Sequence, residues 1–202
     1  MAKNTVYLVS NGDARPPACV AGWPLQKQTL DQVAKALKKL GYSPVLLPKH
    51  DAKRKHGFVT SQREGAATFR EMEPDAPVIV VLNIWAFAHH VAGPLQTHRG
   101  PILLLANFDG TWPGLVALLN HSASLDRLNV RHSRLWTESF AADPFFMDKL
   151  KEWCEKGKVT HSAAHLTDAA KVKISAAAEA FGKDLADTIL RERRIMGQFD
   201  PG

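Results

Sequence analysis

Runs of apolar residues at nearly every position alternate along this chain with stretches whose apolar residues recur at helical spacing. Val78-Ile79-Val80-Val81-Leu82 is apolar throughout, and Ile102 to Leu105 repeats the pattern. Continuous apolarity over so few residues is expected of a strand covered on both faces, as in a parallel sheet. Thr5 to Ser10 is a shorter β-rich run that ends in the turn-forming triplet Asn11-Gly12-Asp13. Residues 44–48 and 130–136 read as further strands, and 158–161 as a short last one. Residues 24–40 read as an amphipathic helix: Leu30, Val33, Leu37 and Leu40 share a face, three lysines point outwards and Gly41 stops it. Helices are also expected over 61–72 and 113–128, and from Asp143-Pro144 through Trp153 to a stop near Gly157. A brief helix fits between 85 and 91, and an Ala-rich helical stretch runs from Thr167 to Arg193.

This alternation predicts an α/β fold, Rossmann-like and doubly wound, with a mainly parallel sheet of about five strands and helices on both faces. The expected domain spans 1–165, followed by a helical stretch over 166–202. Ligands of such sheets bind outside the carboxyl ends of the strands, near the point where strand order reverses. That singles out the loops 11–24, 83–93, 107–113 and 137–144.

Composition narrows the picture without naming a ligand. With 45% hydrophobic and 23% charged residues, a sizeable buried core is expected. No apolar run reaches the length that spans a bilayer, and residues 1–4 lack a signal-peptide core. Two cysteines, Cys19 and Cys154, make no CxxC, so a cytoplasmic protein with free thiols is expected. The net charge of +6 raises nucleic acid as a partner, but the one dense basic cluster, Lys49 to His56, has no aromatic residues interleaved for base stacking. It reads as a solvated loop. No glycine-rich phosphate loop and no GxSxG elbow is present. The adjacent His89 and His90 point about 100° apart on a helix and have no carboxylate pair beside them, so no metal site is expected.

Chemistry concentrates in the strand-end loops. Asp13 and Arg15 follow the first strand, either as a local ion pair or with Arg15 offering its planar fork of donors to hydroxyls or a carboxylate. Trp85 stands two residues after Asn83, either as core or as a platform for the apolar face of a sugar ring. Asn107-Phe108-Asp109-Gly110-Thr111-Trp112-Pro113-Gly114 is the most distinctive segment, able to hold a polyol or simply to cap a helix. Trp136-Thr137-Glu138 repeats the theme.

Taken in order, Asn11 to Arg15, Gln26 to Thr29, Asn83-Ile84-Trp85, Asn107 to Val116 with Asn120-His121, and Leu135 to Glu138 resemble the N-terminal region of the L-fucose/L-arabinose isomerase family. The resemblance implies the sugar-covering domain of a metal-dependent aldose–ketose isomerase, cytoplasmic and homo-oligomeric, often hexameric. In such an enzyme Mn²⁺ would bind adjacent sugar oxygens, with its ligands in later domains and none in this chain. The resemblance also implies that Arg15 contacts sugar, that Trp85 stacks on it and that 166–202 leads into a central domain. Asp13, Asn107 and Trp112 are substrate-binding candidates from loop position, and no residue is assigned a catalytic role. Two other readings remain: a stand-alone sugar-binding or regulatory module, and an oligomerisation domain.

Overall fold

A computed structural model describes residues 4–84, 88–108, 114–161, 179, 180 and 183. The chain divides into two compact units, 1–160 and 161–202, and every element named below belongs to the first. The helix expected over 167–193 lies outside the described residues, apart from the three positions just given.

Five strands, β1 (Thr5–Ser10), β2 (Ser43–Leu47), β3 (Val78–Leu82), β4 (Ile102–Asn107) and β5 (Ser133–Thr137), form one sheet in the order β2-β1-β3-β4-β5. All four pairings are parallel. Helices α1 (Pro16–Lys39), α2 (Gln62–Arg70), α3 (Ala92–Thr97), α4 (Gly114–Arg127) and α5 (Pro144–Lys156) fill the connections and follow the last strand. This is the doubly wound α/β architecture that the apolar pattern predicts, with a sheet covered on both faces.

The period of two along each strand sorts the core into two layers. Val6, Leu8, Ile79, Val81, Leu103 and Leu105 pack against Leu30, Val33 and Leu37 of α1 and against Phe146, Leu150 and Trp153 of α5. Their alternates, including Tyr7, Val9, Val80, Leu82 and Leu104, pack against Leu95 of α3 and Ala117, Leu118 and Leu125 of α4. Every residue of β3 and β4 is buried, which accounts for their unbroken apolarity.

Helix α1 begins eight residues earlier than its periodicity predicts. Pro16 and Pro17 occupy the first turn, where a missing N–H costs nothing, and Pro24 lies inside the helix. A proline there removes one backbone hydrogen bond, a cost of about 3 kcal/mol in an isolated helix. The first turns are held by a satellite cluster in which Cys19 and Trp23 pack with Phe58 and Ile84. Residues 158–161 form no strand, because Val159 donates its N–H to Ser133 Oγ instead of to a strand ladder. Of the short helix expected at 85–91, residues 85–87 lie outside the described residues and 88–91 are not helical, with α3 following at Ala92. Helix α5 starts under the Asp143 cap, which accepts from the Phe146 N–H at 3.2 Å, and closes at Gly157 in the left-handed conformation (φ 69°).

Candidate functional site

Strand order reverses between β1 and β3. The chain leaves β1 for α1 on one face and leaves β3 for α3 on the other. The crevice that such a reversal opens at the carboxyl ends lies beside loop 11–15 after β1 and beside residues 83–84 and 88–91 after β3. Asn11 joins the two loops directly, donating from Nδ2 to the Ala88 carbonyl at 2.8 Å.

An asparagine stands at the end of each of three adjacent strands. Asn11 follows β1, Asn83 follows β3 and Asn107 closes β4. The pairing of Leu82 with Ala106 carries Asn83 level with Asn107 in the parallel register. All three are buried at 1% exposure or less. Gln26 of α1, fully buried, reaches under the same edge and donates from Nε2 to Ser10 Oγ at 2.9 Å and to the Val81 carbonyl at 3.0 Å. The Asn83 amide nitrogen donates to the Leu25 carbonyl and to Thr29 Oγ1.

These bonds use the nitrogen side of each amide and leave the oxygen side over. Among the described residues, Asn11 Oδ1, Gln26 Oε1, Asn83 Oδ1 and both amide atoms of Asn107 are buried without a hydrogen-bond partner. A buried polar atom left unpaired costs about 1–3 kcal/mol, so such groups call for an explanation. An array dominated by acceptors is matched by a ligand rich in hydroxyl donors. The first turn of α4 crowds against this edge, and a Cβ at Gly114 would come 2.2 Å from Asn107 Oδ1 and 2.4 Å from the Leu82 carbonyl.

Asp13 and Arg15 form the local ion pair. Both carboxylate oxygens of Asp13 accept from the Arg15 side chain at 2.8 Å, and Oδ1 also accepts the Arg15 backbone N–H. The Arg15 bond holds the Asp13 carboxyl below the usual carboxylate range, against an opposing effect of burial. Asp13 is buried while the Arg15 side chain is 71% exposed, so the aspartate orients a guanidinium that stands in solvent at the mouth of the crevice. With the Nε–H and one Nη2 N–H committed to Asp13, both Nη1 N–H groups and the second Nη2 N–H are left for a ligand. Trp85 and Trp112 lie outside the described residues. Phe108, beside Asn107, is an apolar ring at this edge and is 52% exposed.

Three imidazoles gather on the β3–β4 side of the edge. His89 and His121 meet edge to face with ring centroids 4.5 Å apart, and His121 Nδ1 lies 3.3 Å from the Ala117 carbonyl. Burial depresses the pKa of His121 to about 3 and lowers those of His89 and His90, so all three are neutral at pH 7. Their Nε2 atoms are buried without partners among the described residues. The sequence separates His121 from His89 by 32 positions, and no local motif connects them. Among the described residues no three of His, Cys, Asp and Glu are placed to hold a metal ion.

The basic loop 49–56 is partly internal. Arg54 binds Glu64 and donates from Nη2 to the Phe58 carbonyl at 3.0 Å and to Thr60 Oγ1 at 2.8 Å.

Comparison with known proteins adds little to this geometry. No protein-family model matches the chain, and no curated protein sequence does. Among solved structures, the sugar isomerase domain of the RpiR transcription factor from Sphaerobacter thermophilus aligns at 14% identity over 62% of this chain and 72% of that one. The TM-score is 0.28, too low to transfer any property. The likeness to L-fucose/L-arabinose isomerases drawn from the loop segments is therefore set aside, because neither sequence comparison returns that family. The physical reason lies in what those segments are. Asparagines, turn formers and aromatic residues at the carboxyl ends of strands are what a doubly wound sheet puts beside any ligand crevice, whatever its lineage. Among the described residues no helix is long and apolar enough to cross a membrane.

Proposed function

We propose that this domain is a binding module for a small polyhydroxylated molecule of the monosaccharide class, held in the crevice at the carboxyl ends of β1, β3 and β4. The row of buried, unpaired amide oxygens on Asn11, Asn83 and Gln26, with the wholly unpaired amide of Asn107, carries this reading. Sugar hydroxyls are paired donors and acceptors, so one such molecule can satisfy acceptor oxygens and the Asn107 N–H groups together. Arg15, pre-oriented by Asp13, supplies a donor at the mouth. Phe108 supplies an apolar ring against which the C–H face of a pyranose packs. Neutral His89 and His121 extend the polar lining without adding charge, in keeping with an uncharged ligand.

A panel of aldoses, ketoses and alditols titrated against the ¹⁵N-labelled protein tests this. Saturable shifts should be centred on 11–15, 83, 88–91 and 107–108. Asn107→Ala should weaken binding at least ten-fold, about 1.4 kcal/mol. Shifts absent, or scattered over the surface, would count against it.

A further inference from the structure

The opposite edge of the sheet carries a second cleft, remote from the asparagine row. Its volume is about 650 Å³, and it opens at the amino ends of β4 and β5. Arg99, Arg131, Lys156 and Lys158 line it, and no Asp or Glu is among its lining residues.

Two of the four cations are partly compensated from outside the cleft. Arg99 pairs with Asp75 at 2.8 Å, and Lys156 stands 3.7 Å from Glu152. Arg131 and Lys158 have no ion-pair partner among the described residues. Like charges converging on one concavity repel each other, and a bound anion relieves that repulsion.

The segments carrying the two unpaired cations are anchored. Next to Arg131, His132 is held at both ring nitrogens, with Nδ1 2.9 Å from the Val130 carbonyl and Nε2 2.7 Å from Ser122 Oγ. On the other side, Lys158 lies between Gly157, whose N–H is bonded to Trp153, and Val159, whose N–H is bonded to Ser133 Oγ. Fixed segments lower the ordering cost of binding, although the long side chains still must be immobilised. Pro101, Leu128 and Val130 contribute apolar surface to the walls between the charges.

We infer that this amino-edge cleft binds a small molecule carrying two or more phosphate groups. Several cations around one concavity match several phosphates better than a single one, and the volume exceeds what one phosphate needs. The apolar walls provide a place for an organic body. Ser122 is buried behind His132, so this Ser–His contact serves as an anchor for the cleft wall.

Isothermal titration of the full chain with ATP and, separately, with inorganic tripolyphosphate tests the inference. Saturable binding of at least one is expected, weakened ten-fold or more in the double variant R131E/K158E. Both substitutions are at exposed positions, and an unchanged circular dichroism melt would show that the fold persists. Tighter binding of ATP would show that the apolar walls hold an organic body, and equal binding would show that the cations alone recognise the phosphates. The inference is overturned if neither ligand saturates or if the double variant binds as well as the parent. It is equally overturned if a single-stranded oligonucleotide binds far more tightly than either, which would make the cleft part of a polymer-binding surface. Monosaccharide binding at the carboxyl edge should be unaffected in R131E/K158E, so the two sites fail or stand independently.

Discussion

Asn107 concentrates the tension between stability and function in this domain. Its amide is 1% exposed, at the end of a fully buried strand, with neither atom partnered among the described residues. A group placed this way is a cost to folding and a potential gain to binding. Asn107→Ala should therefore leave stability in urea within about 1 kcal/mol of the parent, or raise it, while sugar affinity falls. A large loss of stability would mean that the amide is holding the fold together. His121 makes a separate prediction in pH. Its folded pKa of about 3 lies below the unfolded value of about 6.5. The unfolded chain therefore binds the extra proton first, and the stability that neutral His121 contributes is present above about pH 6.5 and lost as pH falls towards 3. Urea melts of His121→Leu across this range should show a shallower acid limb than the parent. Asp13 acts in the same direction lower down, because its depressed pKa gives stability that disappears as pH falls through the folded value. Of these residues, Asp13, Arg15 and Asn107 could be picked from the sequence because turn-forming and polar residues stand out directly after apolar strands. The sequence alone allows Arg15 either to pair with Asp13 or to face a ligand, and the structure shows the pair. Gln26 and His121 could not be assigned in the same way, since one lies on a helix far from the strand it supports and the other meets His89 only through the packing of α4.

At the scale of elements, the junctions decide how the site is built. Helix α4 reaches the end of β4 because its first residue is glycine, and the added methyl of Gly114→Ala would meet a backbone carbonyl as well as the Asn107 side chain. The expected cost is about 1–3 kcal/mol by overpacking, with sugar affinity falling in parallel as Asn107 is displaced. Thermal melts and titrations of the one variant check both. If stability falls while affinity is untouched, α4 does not set the position of Asn107. Helix α1 illustrates why boundaries are harder to read than cores. Its second half shows clean periodicity, whereas its first turns hold two prolines at the start and a third before the clear pattern begins. Local preference placed the start at Pro24. The contacts of Cys19 and Trp23 with Phe58 and Ile84 overrule it, and these are set by tertiary structure. The strand expected at 158–161 failed for a related reason: its backbone is engaged by a serine side chain.

For the whole molecule, the sheet was legible because its central strands are buried on both faces, which forces continuous apolarity and parallel crossovers. Edge strand β5 alternates, burying Leu135 and exposing Trp136, and it is correspondingly shorter than the apolar run suggested. The general location of the candidate site followed from the same topology. Its lineage did not, because the motifs that suggested a relationship are those any crevice at a sheet's switch point favours. Buried side-chain amides gather at the carboxyl edge of the sheet, and cations line a cleft at its amino edge. The two ligands proposed for these edges differ accordingly, one rich in hydroxyls and one rich in negative charge.

The most direct test is a monosaccharide titration followed through the side-chain amide resonances of Asn11, Asn83 and Asn107 in the ¹⁵N-labelled protein. One class of aldose, ketose or alditol should shift these resonances saturably and together, and Asn107→Ala should move the midpoint of the remaining Asn11 and Asn83 shifts at least ten-fold higher in ligand. Resonances that stay fixed across the whole panel at millimolar ligand, in a protein that is folded, would contradict the proposed binding.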